Sequence, residues 1–249
     1  MSCLGVIGGT GIDQWEGVDI VREHALETPF GAPSRPVQEG QLHGKTVFFL
    51  QRHGSPKAIP PHAINYRANV WALNALGVTD VIAVNAVGGI ARNARAGALV
   101  IPDQLIDYTW GREHTFDTGE SGSLQHIDFT RPFHSSLRTL LCDAAAQLQR
   151  DCIKEGVYGV TQGPRLESAA EICRMANDGC TVVGMTAMPE ASLAAEVGMR
   201  YASVCIVVNA AAGLSDEPLT LTAMRSTLEE AAVNVRDLLD KLVESGRLA

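Results

Sequence analysis

The sequence has few aromatic and few charged residues for its length. Of its 249 residues, 5% are aromatic and 19% are charged, whereas 46% are apolar. This balance is typical of a compact α/β domain and excludes a disordered or fibrous chain. A chain of this length can bury a sizeable core and lies near the upper end of what one domain holds. We therefore expect a single domain over residues 1–249.

The chain also has no excess of positive charge and no long apolar run. Its formal net charge of −8 argues against binding to nucleic acid or to an anionic membrane. The longest apolar stretch, Tyr201–Leu214, is interrupted by Asn209 and is too short to span a bilayer. The first residues, Met1–Ile7, contain no basic segment of the kind that opens a signal peptide. We expect a cytoplasmic protein with no nucleic-acid or membrane partner.

Two common cofactor motifs are missing. The six cysteines form no C-x-x-C pair and have no histidine at zinc-ligand spacing, so we expect reduced thiols and no metal. The loop Gly8–Gly11 has glycines like those of a dinucleotide fingerprint, but Gln14 stands where the third glycine belongs. Two interpretations stay open, a plain tight turn and an anion-binding loop in which Thr10 contacts the anion.

Polar residues follow the ends of several predicted strands, and we expect them to meet. The strands are predicted at Leu4–Ile7, Thr46–Gln51, Val78–Val84, Val182–Gly184 and Tyr201–Val208, and the residues after the last four are Arg52, His53, Asn85, Ala86, Thr186 and Asn209. Open α/β sheets bind ligands at the carboxyl ends of their strands. Guanidinium, hydroxyl and backbone N–H groups suit an oxyanion, whereas the Asn209 amide suits the edge of a heterocycle. The alternative for Arg52 and His53 is a surface ion pair beside a core histidine.

The remaining pattern predicts a hairpin, two more strands and five helices. The hairpin is Val37–Leu50, turning at His43-Gly44, and the strands are Leu99–Ile106 and Val157–Val160. The helices are Asn65–Leu76, Ser135–Gln149, Ser168–Asn177, one opening at Met188 and ending before Gly198, and Thr222–Leu242. The stretch Asp107–Arg131 has no periodicity, which favours a lid or a binding loop.

Six segments together resemble the trimeric purine nucleoside phosphorylase and methylthioadenosine phosphorylase family. They are Gly8–Gly11, Arg52–Gly54, Asn65–Asn69, Asn85–Gly89, Gly163–Arg165 and Gly184–Glu190. The resemblance implies an α/β fold with a mixed, barrel-like central sheet flanked by helices. It also implies a homotrimer that cleaves purine nucleosides with inorganic phosphate as co-substrate and without metal or organic cofactor.

The same resemblance implies roles for individual residues. The residues expected at the phosphate are Thr10, Arg52, His53, Asn85, Ala86 through its backbone N–H, and Thr186. The residues expected at the nucleoside are Met185 under the ribose, Leu166 on the base, and Glu167, Asn209, Ala210, Ala211 and Thr222 around it. Asn209, His53 and Thr186 are the expected catalytic residues, and His126 is expected to serve the neighbouring subunit's site.

Two departures from the methylthioadenosine enzymes point to another substrate. Those enzymes carry Asp-x-Asp where this chain has Asn209-Ala210-Ala211, whereas the 6-oxopurine enzymes carry asparagine there and a glutamate like Glu167. The 6-oxopurine enzymes in turn have a C-terminal histidine for the ribose 5′-hydroxyl, but here no histidine follows His134 and the apolar segment Leu219–Leu228 takes its place.

The leading hypothesis is therefore phosphorolysis of 5′-methylthioinosine. The enzyme alternatives are a methylthioadenosine phosphorylase and an inosine or guanosine phosphorylase, and the non-enzyme alternative is a nucleoside-binding sensor. Glu167 by itself could also be a helix-start residue that the helix dipole favours.

Overall fold

A computed structural model describes residues 3–9, 17–120, 125–215 and 220–248. Its strands are β1 Leu4–Gly8, β2 Asp19–His24, β3 Val37–Leu42, β4 Lys45–Gln51, β5 Asp80–Gly89, β6 Leu99–Val100, β7 Gln104–Asp107, β8 Cys152–Ile153, β9 Val157–Val160, β10 Cys180–Gly184 and β11 Arg200–Ala210. Its helices are α1 Tyr66–Ala75, α2 Ser135–Gln147, α3 Ala169–Asn177, α4 Ala187–Glu196 and α5 Leu221–Glu244.

The strands form one mixed sheet that branches at β5. The path runs β2-β3-β4-β1-β5-β10-β9-β7, while β11 pairs with β5 in parallel and carries β6 and β8 beyond it. The first half of β5 pairs with β1, and its last two residues pair with β10 in the opposite direction. The predicted mixed central sheet with flanking helices is confirmed. The pairings among the described residues leave the sheet open, so the barrel does not close.

Helices cover both faces of the sheet. On β11, alternate residues point to opposite faces, so Cys205 and Val207 pack on one side while Val204 and Ile206 pack on the other. The first side is covered by α1 and α4, and the second by α2 and α5. Burial on both faces explains why these strands are near-continuous apolar runs.

Most predicted elements lie where the sequence pattern put them, with three differences. The strand predicted to end at Val84 continues to Gly89, so Asn85 lies inside a strand rather than after it. The predicted strand Leu99–Ile106 is two short strands, β6 and β7. Strand β11 runs through Asn209 to Ala210, with a register shift between Val207 and Asn209. The edge strand β2 and the short strand β8 were not predicted.

Three further observations concern cofactors, thiols and membranes. All six cysteines are free thiols. In the part of the chain that the structure describes, no three histidine, cysteine or carboxylate side chains come together as metal ligands. No helix in the described ranges is both long and apolar enough to cross a membrane.

Candidate active site

A cavity of about 380 Å³ opens where β4, β10 and β11 end, beside the middle of β5. Its walls include nine predicted site residues: Arg52, His53, Asn85, Ala86, Leu166, Glu167, Met185, Thr186 and Asn209. Val208 lines it beside Asn209. One cavity therefore brings together the anion-type groups and the amide, and the roles expected of these residues stay predictions.

The guanidinium of Arg52 is held by a buried carboxylate. Arg52 is 1% exposed and Glu190 is fully buried, and Arg52 donates from Nε to Glu190 Oε1 at 2.7 Å and from Nη2 to Oε2 at 2.9 Å. Arg52 Nη1 donates to the Val84 carbonyl at 3.0 Å, and the Tyr201 hydroxyl donates to Glu190 at 2.9 Å. The carboxylate raises the pKa of Arg52 against the effect of burial, so the side chain stays charged.

This geometry limits how Arg52 can contact an anion. Glu190 occupies the Nε–Nη2 face of the guanidinium, and three of the five guanidinium N–H groups donate within the protein. Any contact to an anion must come from the remaining N–H groups at the cavity wall.

The hydroxyl of Thr186 lies beside Asn85 at the floor of the cavity. Thr186 directly precedes α4, and its side chain makes no capping bond to that helix. Its hydroxyl donates to Asn85 Oδ1 at 3.5 Å, and Asn85 Nδ2 donates to Ser203 Oγ at 3.1 Å. The backbone N–H groups at the start of α4 and the Thr186 hydroxyl are donors of the kind that bind anions at helix N-termini, so this side of the cavity is the candidate anion end. Asn85 contacts it through Thr186.

The ring of His53 borders the same end. Its Nδ1 lies 2.9 Å from the Ile59 carbonyl oxygen, which accepts the Nδ1 proton. The other nitrogen, Nε2, then carries a lone pair in the neutral ring. A protonated His53 would add positive charge at this end of the cavity.

Glu167 and Asn209 are two further polar groups that line the cavity. The Thr161 hydroxyl donates to Glu167 Oε1 at 2.6 Å and fixes the carboxylate. Asn209 Nδ2 donates to the Ala210 carbonyl, so its amide is held by the backbone of the next residue. Leu166 is half exposed at the cavity wall, as an apolar surface for a ring would be.

Met185 also lines the cavity. A Cβ at Gly163 would come within 2.4 Å of Met185 Sδ, and Gly163 has a φ of +59°, so only glycine fits there. On the other side, α5 presents Met224 and Leu228, which the apolar segment Leu219–Leu228 anticipated, together with Arg225, which it did not.

Arg112 supports the cavity wall from behind, and sequence reasoning missed it. It is 8% exposed and stacks on the Tyr66 ring at 5.4 Å. Its guanidinium donates to six oxygens from three separate segments of the chain, which are the Tyr66 hydroxyl, the carbonyls of Thr161, Gln162, Met185 and Met188, and Gln162 Oε1. Because Arg112 lies in the aperiodic stretch after β7, this stretch holds the cavity walls at Thr161 and Met185 in place.

Other predicted site residues lie elsewhere. Ala211 is buried in the core near α3 and lines no wall of this cavity. Ala210 faces a neighbouring cavity of about 590 Å³. Thr222 is exposed on α5, and His126 is exposed away from the cavity. Ala210, Ala211 and Thr222 are therefore not among the residues that line this cavity, and their expected contacts with the nucleoside stay a prediction. Thr10 lies outside the described residues.

A protein-family model, the phosphorylase superfamily, matches residues 4–244 of the chain. The chain belongs to the phosphorylase superfamily. A relative from Xanthomonas campestris, named "Probable S-methyl-5'-thioinosine phosphorylase", is 46% identical over 96% of each chain. One of the same name from Xylella fastidiosa is 51% identical over 86% of this chain and 90% of its own. One from Thermococcus kodakarensis, named "Probable 6-oxopurine nucleoside phosphorylase", is 41% identical over 98% and 92%.

Solved structures show the same fold. A methylthioadenosine phosphorylase from Schistosoma mansoni, in complex with adenine, superposes with a TM-score of 0.92 at 34% identity, covering 98% of this chain and 91% of its own. The fold and the family are thus established from the whole chain, independently of the residues expected at the base, Glu167 and Asn209.

We predict that Arg52→Met destabilises the phosphorylase by about 3–5 kcal/mol, because it leaves the buried Glu190 carboxylate without its partner. Chemical denaturation without phosphate measures this change. The double variant Arg52→Met/Glu190→Met removes both charges and should recover part of the loss, although Tyr201 then lacks its acceptor. A single variant as stable as the wild type would contradict the ion pair.

We also predict that Arg112→Lys raises the nucleoside KM by about tenfold or more while the phosphate KM changes little. An ammonium has three donors and cannot replace a planar fork that serves six acceptors. Steady-state kinetics with each substrate varied in turn gives both constants. Arg67→Lys is the control, because Arg67 also stacks on an aromatic ring, Phe30, and pairs with the exposed Glu113. Equal changes in the two KM values would argue against a positioning role for Arg112.

Proposed function

We propose that the protein cleaves 5′-methylthioinosine with inorganic phosphate, releasing hypoxanthine and 5-methylthioribose 1-phosphate. The observation that carries this proposal is that one cavity holds both groups suited to an anion and groups suited to a purine base. Arg52, His53 and Thr186 form an anion end, whereas Glu167 and Asn209 form an end that reads a 6-oxopurine. The distance between them is bridged by Met185, at the place where a ribose would lie.

In the proposed reaction, a phosphate oxygen attacks C1′ as the bond from C1′ to N9 breaks. The electron pair of that bond stays on the purine, and N7 takes up a proton from solvent. Positive charge develops on the sugar and negative charge on the base, so catalysis consists of stabilising both. The phosphate at Thr186 stabilises the sugar, and the Asn209 amide oxygen accepts a hydrogen bond from N7–H.

Base selectivity follows from donor and acceptor matching. A 6-oxopurine presents N1–H as a donor and O6 as an acceptor, whereas adenine presents the opposite pair. Glu167 has one oxygen already bonded to Thr161, and its other oxygen can accept N1–H. Adenine would place a lone pair against this carboxylate. A buried polar group left unpaired costs about 1–3 kcal/mol, and a charged one costs more.

The 5′ end of the nucleoside is proposed to face α5. Met224 and Leu228 offer an apolar surface there, and no histidine in the chain follows His134 to bond a 5′-hydroxyl. A methylthio group gains apolar contact, whereas a buried hydroxyl without a partner loses its hydrogen bonds to water. Arg225 at the rim sits beside this surface.

The names of the relatives support this assignment, because curated relatives at 46% and 51% identity carry the methylthioinosine name. We further propose a cytoplasmic homotrimer that works without metal or organic cofactor, in which His126 of one subunit serves the site of the next. The exposure of His126 within its own chain supports this last point.

The proposal predicts phosphate-dependent release of hypoxanthine from methylthioinosine. We expect kcat/KM for methylthioinosine to exceed that for inosine by at least about tenfold and that for methylthioadenosine by roughly a hundredfold. A panel of these three nucleosides and guanosine, each with and without phosphate, gives the comparison. Cleavage that ignores phosphate would refute a phosphorylase. No cleavage of any nucleoside would favour a binding protein, and equal cleavage of methylthioadenosine would favour the adenosine-type enzyme.

Exchanging Asn209 for aspartate tests the base-reading end directly. We predict that Asn209→Asp lowers activity on methylthioinosine and raises the ratio of methylthioadenosine to methylthioinosine cleavage, more so with Glu167→Ser. A protonated aspartate can donate to N7 while its other oxygen accepts from the adenine amino group. The measurement is kcat/KM for both nucleosides in each variant.

Glu167→Gln is the control, because it keeps the size of the side chain and changes the acceptor. An unchanged ratio in Asn209→Asp would remove Asn209 from base reading.

A further inference from the structure

The hydroxyl of Tyr158 is a buried polar group whose O–H has no hydrogen-bond acceptor in the described part of the chain. Tyr158 lies on β9 with none of its surface exposed, and its Oη is one of two buried side-chain polar atoms that make no hydrogen bond among the described residues. Nearly all buried polar groups in native proteins are paired, because an unpaired one costs free energy. An orphan hydroxyl next to a ligand cavity therefore needs an explanation.

Its location points to the anion end of the cavity. A Cβ at Gly184 would lie 2.3 Å from Tyr158 Oη, so glycine there makes room for this hydroxyl. Gly184 and Thr186 both line the cavity. Burial and Cys205 raise the pKa of Tyr158 well above its usual value, while Arg52 and the hydroxyl and backbone N–H of Thr186, which lie within reach of the phenol oxygen, lower it. The contact with Thr186 falls short of hydrogen-bond geometry, and the phenol O–H has no acceptor. The phenol thus stays protonated, next to Thr186.

We propose that Tyr158 is a positioning residue that completes the phosphate site through Thr186. When phosphate binds, the Thr186 hydroxyl donates a hydrogen bond to a phosphate oxygen and leaves the long 3.5 Å contact to Asn85. The Thr186 oxygen then accepts a hydrogen bond from Tyr158, whose donor is satisfied only in the bound state. This inference rests on the proposed function, in which Thr186 contacts phosphate.

The proposal makes stability and phosphate binding respond in opposite ways to Tyr158→Phe. Without phosphate, the variant loses an unpaired polar group, so its Tm stays equal to that of the wild type or rises. With phosphate, it lacks one hydrogen bond in the bound state, so Kd and KM for phosphate rise by about three- to tenfold. The nucleoside KM stays close to that of the wild type.

The experiment measures the thermal shift against inorganic phosphate concentration on protein purified without phosphate, followed by steady-state kinetics. Ligand stabilisation grows with the ratio of ligand concentration to Kd, so the two Kd values follow from the two curves. Tyr201→Phe is the matched stability control. Tyr201 is equally buried, but its hydroxyl bonds to Glu190, so this variant loses a bond in the free protein and its Tm falls.

Three outcomes would overturn the inference. One is an unchanged phosphate Kd in Tyr158→Phe while the wild type responds to phosphate, which would leave the proposed function standing. Another is a Tm loss as large as that of Tyr201→Phe together with parallel increases in both KM values, which would make Tyr158 structural. The last is a wild type that phosphate does not stabilise at all, which would remove the anion site and the proposed function with it.

Discussion

The buried ion pair between Arg52 and Glu190 is the contact on which the rest of the site depends. It joins the end of β4 to α4, and the bonds to the Val84 carbonyl and the Tyr201 hydroxyl add β5 and β11. Removing two charges from water is costly, and here two direct bonds and two supporting bonds offset that cost. Because α4 also begins at Thr186, the pair sets where the N-terminus of that helix lies relative to the ends of the strands. The charge of the Arg52 guanidinium, around which the candidate anion end is built, is therefore already neutralised by Glu190.

The base end is built differently, from a loop and a bulged strand end. The Thr161 hydroxyl donates to the Glu167 carboxylate, and Arg112 donates to the Thr161 carbonyl. Arg112, a residue of the aperiodic stretch, therefore positions the carboxylate indirectly, through Thr161. Asn209 follows the register shift in β11, at a point where the alternation of the strand is already broken. Neither group takes part in the main core. The base-reading groups thus depend on local bonds, whereas the anion end depends on the packing of the whole sheet.

The sequence predicted the layers of the fold and the groups at the strand ends, because both depend on local pattern. Apolar runs predicted β1, β9 and β11. The sequence did not reveal that β5 continues past Asn85, since a buried asparagine looks like a strand end until its partner Ser203 is known. Nor did it reveal the partner of Arg52 or the role of Arg112, because the partners of both lie at least 46 residues away along the chain. The resemblance placed Ala211 at the base, whereas packing placed it in the core.

The bulge at Val208, directly before Asn209, has a consequence for how such proteins diverge. In a regular strand, a change of side chain at a buried position disturbs both faces of the sheet, since neighbouring positions are packed by helices. The bulge interrupts that alternation just before Asn209, next to the last residue of β11, and leaves the paired core before it unchanged. Mutation can therefore exchange an amide for an acid at Asn209 without refolding the domain. A family with one fold and several base preferences can therefore arise by mutation at a single position after a bulge, while the rest of the fold stays the same.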